Sequence, residues 1–481
     1  MSNDVVTLQV YRFDPEGSAS PHYDEFKIPY SKGLTVLDGL IYIYENIDSS
    51  LSFRWSCKNV QCGTCGMIVN GEAVLACERK LNSEEVLKVE PFPLPIIKDL
   101  VTNFSYIEDK RVRTFSKPTW AGRPESLSPE EVSPLLSLHK CLDCHICDVV
   151  CPLNKGKARI EPESFLPADL VQLSSILSNQ REGEDRRDEA YSKKIYNCLT
   201  CGACVKACPV GIDIVNDAVE RLRYEFMKRD GESYRKLFNP VDWVDRWVEL
   251  KGQPFLSETK EEYRVANPKR EVAFFVGCLM NRRQQDLAMM AIKILNKAGY
   301  DVLVPKGQKC CGQPLLRLGM VEEAKDLLKR NVSLFESIGV SHVVTACPDC
   351  SFAFGEDYER LFRNGERRPR IEVLDLIKML PTIPTLKPVA CHNPCYLSKR
   401  GMRLSEELRS KGILVEEIVE ECCGAGGGVY FTNRELGLEI GGKLRKRFNS
   451  DTLVTGCPFC EEQFKEIVAG KKRIMHYLEL F

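Results

Sequence analysis

The sequence predicts a multidomain fold, α+β in its first half and α/β in its second, on three observations. Residues 4–13 alternate apolar and polar side chains, and Tyr23 to Tyr30 repeats the alternation, as the two half-buried strands of a hairpin do. Two dense cysteine runs follow, with charged, helix-favouring sequence between them. From Glu271 onward, short apolar strand segments alternate with amphipathic helical segments, and the whole pattern occurs twice.

The totals bound what such a chain does. At 481 residues it has length for about three domains. Its 67 Lys and Arg balance 68 Asp and Glu, so its overall field gives no reason to expect nucleic acid or anionic lipid as a partner. Runs such as Leu40 to Tyr44 and Val272 to Val276 fall far below the ~18 apolar residues that span a bilayer. The N-terminus, Met-Ser-Asn-Asp-Val-Val, lacks the basic and apolar regions of a secretory signal, so a cytoplasmic protein without a transmembrane segment is expected. The 23 cysteines are odd in number and many stand two residues apart, which favours metal or cluster ligation over a disulfide scaffold.

After the hairpin a helix is expected over Thr35 to Glu45. Then come Cys57, Cys62 and Cys65, with Cys77 after eleven intervening residues, the C-x4-C-x2-C…C spacing of a plant-type [2Fe-2S] ferredoxin and its β-grasp domain. A glycine-bearing loop lets backbone amides approach the sulfides, while the distant fourth cysteine closes the cage. A zinc ribbon would instead need a second C-x2-C pair. The exit of this segment, Pro91-Phe-Pro-Leu-Pro-Ile-Ile-Lys-Asp-Leu100, is similar to that of the iron-sulfur subunits of succinate dehydrogenase and fumarate reductase.

Cys141, Cys144, Cys147 and Cys151, then Cys198, Cys201, Cys204 and Cys208, each follow C-x2-C-x2-C-x3-C-P. In two-cluster ferredoxins the fourth cysteine of each run serves the other cluster. One [4Fe-4S] cluster is therefore assigned to Cys141, Cys144, Cys147 and Cys208, and the second to Cys198, Cys201, Cys204 and Cys151. His145 is read as a solvated or supporting residue, since four cysteines already fill its site. Residues 230–270, broken by Gly and Pro, read as a short helix flanked by linker.

The two later repeats carry matching cysteines. The first has Cys278, then Cys310-Cys311-Gly312, then Cys347-Pro-Asp-Cys350; the second has Cys395, Cys422-Cys423-Gly424 and Cys457-Pro-Phe-Cys460. Five thiolates per copy exceed what one zinc ion or one ordinary cubane needs. Strands are expected near 271–277, 301–304 and 342–346, and again near 388–390, 413–419 and 452–456, with helices at 284–298, 320–337 and from 350. The cysteines then fall at strand ends and helix starts, where ligands bind and thiolate is favoured over thiol. This pattern resembles the cysteine-rich CCG domain of the heterodisulfide reductases. That resemblance implies a non-cubane [4Fe-4S] cluster on each five-cysteine set. In the second copy, residue spacing favours Cys391, whereas the related His-Asp-Pro-Cys-His-Leu element aligns with Cys395; Cys395 is chosen, leaving Cys391 as a buried apolar thiol.

Other features carry less. Gly437 to Lys443 has phosphate-loop spacing, but Leu444 stands where Ser or Thr belongs and the stretch reads as helix. The Gly424 to Gly428 run suits close backbone approach to a cluster better than a dinucleotide. His392 reads as a satisfied loop histidine rather than a proton donor, and Lys309, Arg282-Arg283 and Lys399-Arg400 as a solvated basic face rather than a clamp for anionic thiols.

The expected domains are 1–105 ([2Fe-2S] ferredoxin), 106–235 (helical, two [4Fe-4S]), 236–270 (linker), 271–385 and 386–481 (CCG copies). Together they resemble the iron-sulfur subunits of the thiol:fumarate reductase family of methanogenic archaea. That resemblance implies oxidation of coenzyme M and coenzyme B thiols to their heterodisulfide at the ten CCG cysteines. Electrons would then pass through the [4Fe-4S] and [2Fe-2S] clusters to an FAD-containing flavoprotein subunit that reduces fumarate to succinate. The alternative is an electron-transfer subunit of a succinate, glycolate or lactate:quinone oxidoreductase. Cys201 weighs against it: in many of the succinate dehydrogenase iron-sulfur subunits that the first half resembles, the matching position is not cysteine and a three-iron cluster sits beside the quinone.

Overall fold

The computed structural model describes residues 5–17, 20–105, 107, 129–154, 166–178, 195–237, 261–362, 371–383, 387–446 and 448–481. Backbone packing divides the chain into two compact units, Met1–Ile195 with Gly202–Leu222, and Tyr196–Cys201 with Arg223–Phe481.

In the first unit, β1 (Val5–Arg12) pairs antiparallel with β2 (His22–Pro29), placing Leu8 opposite Phe26. β3 (Gly66–Val69), β4 (Glu72–Leu75) and β5 (Val86–Glu90) complete a five-stranded sheet of order β2-β1-β5-β3-β4. The period-2 pattern works as expected: Val6, Leu8 and Val10 are buried while their neighbours are not. The helix Val36–Asn46 covers this face, begun by a capping box in which Thr35 accepts from the Asp38 amide and Asp38 accepts from the Thr35 amide. The exit segment carries a small antiparallel pair, β6 (Ile96–Lys98) and β7 (Val101–Thr102). Buried Asp99, in the turn between them, anchors it: the carboxylate accepts from the amides of Phe13 (3.0 Å) and Ser52 (2.9 Å) and pairs with Arg12.

Short helices lie within the cysteine runs, at Ile146–Val149 and Ala203–Ala207. The charged segment between the runs contributes the helix Pro167–Leu177. A π-helical stretch, Ile214–Glu220, which nothing in the sequence flagged, packs against it.

The second unit holds the repeats. Its first sheet comprises β8 (Glu261–Tyr263), β9 (Arg270–Phe274), β10 (Tyr300–Val304), β11 (His342–Thr345) and β12 (Glu372–Asp375), in the order β12-β11-β9-β10-β8. Its second comprises β13 (Val389–His392), β14 (Val415–Val419), β15 (Thr452–Thr455) and β16 (Arg473–His476), in the order β14-β13-β15-β16. Reversed, the second order reproduces the four parallel strands of the first, so the sequence repeat is a topological repeat.

Three differences from expectation stand out. Residues 230–237 continue the helix Arg221–Leu237, and β8 occupies the end of the expected linker, paired antiparallel with β10; residues 238–260 lie outside the described residues. β12 and β16 were not anticipated, being short and carrying a charged residue at an end. Finally, one apolar core runs through both repeats, from Val272 and Leu295 to Val415 and Tyr477.

Candidate iron-sulfur sites

The cluster loops owe their shape to backbone in the left-handed region. Lys58 and Val60 have φ of 56° and 49°; for a β-branched residue such as Val60 this is a strained state, of the kind that collects at functional sites. The turn brings the amides of Asn59 and Gln61 to 3.4 and 3.3 Å from the Cys57 sulfur. The two later runs share a device: Asp143 and His145 in one, Thr200 and Gly202 in the other, all have positive φ at matching positions. Accordingly the Thr200 amide reaches the Cys198 sulfur at 3.4 Å.

In the first unit, Cys65 and Cys77 are buried beside each other, while Cys57 and Cys62 are partly exposed in the loop. Burial pushes the Cys65 thiol up to about 12. Cys62 is lowered to about 6, the Thr64 hydroxyl and nearby amides outweighing burial. Cys141, Cys144, Cys147 and Cys208 line one cavity with Val171, Val210 and Ile212. Cys147 also lies within electrostatic reach of Cys204. His145 is not solvated: it is buried, stacked on Phe104, and its Nδ1 lies 2.8 Å from Asp148, whose carboxylate also accepts from the Ala168 amide. That network holds the loop between Cys144 and Cys147. Cys151 is buried, and Cys198 and Cys201 belong to the second unit.

In the second unit the repeat chemistry assembles at the topological switch of each sheet. The chain leaves β9 for β10 on one side and returns to β11 on the other, so a crevice opens beyond the ends of β9 and β11; β13 and β15 make the equivalent crevice. Cys278 and Cys395 each open a short helix, Cys278–Arg283 and Cys395–Lys399. Cys347 and Cys457 each cap a helix with proline in its first turn. Gly312 and Gly424, after the paired cysteines, have φ of 86° and 81°, and a Cβ there would meet backbone oxygen at 2.9 and 2.0 Å.

Nine of the ten repeat sulfurs form one connected series. Thiol contacts run from Cys278 to Cys310, Cys311, Cys350 and Cys347 in the first copy. Cys347 then contacts Cys457 of the second copy, and the series continues through Cys460 to Cys423, 3.3 Å away, and Cys422. Cys395 lies within electrostatic reach of Cys422 and Cys423. Cys391, by contrast, is buried in the apolar core on β13, with none of the other cysteines acting on it. Shared protons lower Cys310 through Cys278, Cys347 through Cys350, and Cys423 through Cys422, favouring thiolate at those three. Among the described residues no three His, Cys, Asp or Glu groups converge as ligands of a single metal ion. Clusters spread their thiolates over several irons, and this donor set, soft, largely buried and sulfur-only, fits them.

Leu279, Met280, Pro314 and, from the second copy, Pro458 and Phe459 wall the crevice of the first set. Asp349 also faces it, its carboxyl pushed well above the usual range by burial and by Cys347; Phe459 is its counterpart in the second copy. Sequence reasoning passed over Asp349 because an acid inside Cys-Pro-x-Cys carries no motif. The residues read as a solvated basic face are partly engaged: Arg400 pairs with Asp375 and Glu356 and donates to Ser351, and Lys399 donates to the Thr200 carbonyl at 2.7 Å. His392 is buried with Nδ1 3.0 Å from the Thr455 hydroxyl, a satisfied histidine. Gly437 and Gly441 lie on the helix Arg434–Gly442 and let it pack on the Cys423-Gly424 backbone, which accounts for their spacing without a phosphate.

Comparison with known proteins agrees with this layout. A 2Fe-2S iron-sulfur cluster binding domain matches residues 7–109, a 4Fe-4S dicluster domain 137–212, and a cysteine-rich domain both 272–355 and 389–465. The chain is 33% identical to an uncharacterized iron-sulfur protein of Methanococcus maripaludis, covering 92% of each chain. It is 30% identical to the B subunit of the fumarate reductase (CoM/CoB) of Methanothermobacter marburgensis, over 99% of this chain and 98% of that one. A hypothetical protein from Helicobacter pylori, 13% identical, shares the fold with a TM-score of 0.60, covering 100% of this chain and 94% of that one.

Proposed function

The chain belongs to the family of the fumarate reductase (CoM/CoB) B subunits, an oxidoreductase family of iron-sulfur proteins, and from that premise we propose that it oxidises two thiols to a disulfide. The substrates are coenzyme M and coenzyme B: two thiols yield one disulfide, two protons and two electrons. A flavoprotein partner uses two electrons and two protons to reduce one fumarate to succinate.

The observation that carries this reading is the Cys347–Cys457 contact. Forming a sulfur–sulfur bond requires two substrate sulfurs to meet, and the two five-cysteine sets adjoin there. Cys278, Cys310, Cys311, Cys347 and Cys350 would hold one cluster, and Cys395, Cys422, Cys423, Cys457 and Cys460 the other. Clusters held there would supply two adjoining one-electron acceptors, which suits a two-electron oxidation. Leu279, Met280, Pro314, Pro458 and Phe459 keep water from the crevice. Cys57, Cys62, Cys65 and Cys77 would hold [2Fe-2S]; Cys141, Cys144, Cys147 and Cys208, and Cys198, Cys201, Cys204 and Cys151, would each hold [4Fe-4S].

Anaerobic protein purified with its flavoprotein should be reduced by coenzyme M and coenzyme B together and should form succinate from fumarate. Cys423→Ser should abolish thiol oxidation and leave reduced-dye-driven fumarate reduction intact. Equal loss of both activities would overturn this division.

A further inference from the structure

The segment Tyr196–Cys201 carries two cysteines of the second ferredoxin-like run, yet it packs with the repeats. Nearly every residue of it is held there. The Tyr196 hydroxyl donates to the Leu318 carbonyl at 3.1 Å, and Asn433 donates to the Asn197 side chain at 3.2 Å. Lys399, four residues beyond Cys395, donates to the Thr200 carbonyl. The glycine loop that follows Cys422-Cys423 meets the segment backbone to backbone. A Cβ on Gly426 would lie 2.6 Å from the Leu199 oxygen, and one on Gly427 2.2 Å from the Cys198 oxygen. Cys201 is within electrostatic reach of both Cys395 and Cys422.

Arg223 lies at the centre of this junction and is fully buried. One guanidinium joins three backbones: Nη2 donates to the Cys198 carbonyl at 2.8 Å, and Nη1 to Gly427 at 3.0 Å and to Arg317 at 2.5 Å. The Tyr196 ring lies 5.0 Å from its central carbon. A planar, permanently charged fork suits this task as an ammonium does not.

We propose that Arg223, assisted by Lys399, is the positioning residue of an electron port. It locks the Cys198–Cys201 loop onto the second repeat, so the second five-cysteine set, not the first, exchanges electrons with the centre held by the second run. This deepens the proposed function and rests on it for the source of the electrons, two per disulfide, which pass one at a time toward the flavoprotein. The geometry favours the second set because Cys201 itself lies within electrostatic reach of Cys395 and Cys422 and the segment's backbone meets the loop after Cys422-Cys423, whereas the tethers to Arg317 and Leu318 end at the far end of the helix Gln313–Arg317, away from Cys310-Cys311. The two cations also stabilise the more negative, reduced form of the adjacent centre.

The test is a redox titration of the anaerobic full chain with a chemical reductant, followed by electron paramagnetic resonance, with the Cys141-run centre as internal reference. Because no thiol is added, the result stands whether or not coenzyme M and coenzyme B are the substrates; failure of those thiols to reduce the wild-type protein would instead sink the functional reading alone. Arg223→Met and Lys399→Met should each lower the midpoint potential of the second-run centre by about tenfold in its reduction equilibrium, ~59 mV for one electron, and leave the reference unmoved. Arg223→Lys, keeping charge without the fork, should preserve the potential but weaken the magnetic interaction with the second set. Unchanged potentials, or equal shifts of both centres, at full iron content would overturn the proposal. Should Arg223→Met fail to load iron, Lys399→Met decides by the same criterion.

Discussion

Cys391 and Cys395 stand four residues apart and meet opposite fates. Cys391 lies on β13, fully buried among core side chains, whereas Cys395 starts the next helix beside Cys422 and Cys423. Cys395→Ala should therefore cost the second repeat its iron, and Cys391→Ala should keep the full complement while costing about 1 kcal/mol of stability. Iron and sulfide analysis of both variants checks this; iron loss in Cys391→Ala alone would reverse the assignment. His476 offers a second residue-level test. It is fully buried, accepts from the Leu478 amide, and its ring lies near the backbone of Ala346 and Gly456, which precede Cys347 and Cys457. Burial lowers it to about 3, against about 6.5 in an unfolded chain. The unfolded state thus binds the extra proton between those values, so stability falls as pH drops below about 6.5, by up to about 1.4 kcal/mol per pH unit. Urea denaturation from pH 7.5 to 5.5 should show that decline, and His476→Gln should flatten it. Identical slopes in both proteins would remove His476 from the account.

At the scale of elements, the glycine loop and the helix after it make a contrast. Gly427 has φ of 62° and no room for a Cβ, so Gly427→Ala should destabilise the second unit by about 2–3 kcal/mol or more. Gly442, at the end of the helix Arg434–Gly442, faces open space, and Gly442→Ala should be neutral or stabilising by up to about 1 kcal/mol. Denaturation midpoints of the two variants decide, and equal effects would contradict the close-approach explanation. In the first unit, Thr35→Ala removes half of a capping box and should cost about 1 kcal/mol without altering cluster content. The elements most legible in the sequence were those with a complete periodic signal, such as β1 and the helices Gln285–Lys297 and Val321–Ser337. β8, β12 and β16 were missed because three or four residues hold too little periodicity, and only pairing with a neighbouring strand makes them strands.

For the whole molecule, the clusters should be part of its stability as well as of its chemistry. Contacts between repeat sulfurs connect both copies, and ligands that bind only the folded chain stabilise it. Anaerobic removal of iron by a chelator should lower the denaturation midpoint of the second unit, as followed by hydrogen exchange of β11 and β15; an unchanged midpoint would mean that the fold is independent of its metal. Within the described residues, no helix is long and apolar enough to cross a membrane. The cysteine motifs, their repeat and the strand–helix alternation around them were determined by sequence alone, because ligand spacing and hydrophobic period are local properties of a chain. Only the tertiary structure decided that the two five-cysteine sets adjoin at Cys347 and Cys457, that Cys391 faces the core, and that Arg223 gathers Cys198, Arg317 and Gly427. Those facts depend on which distant segments pack together, and no local pattern of residues encodes a contact across two hundred positions.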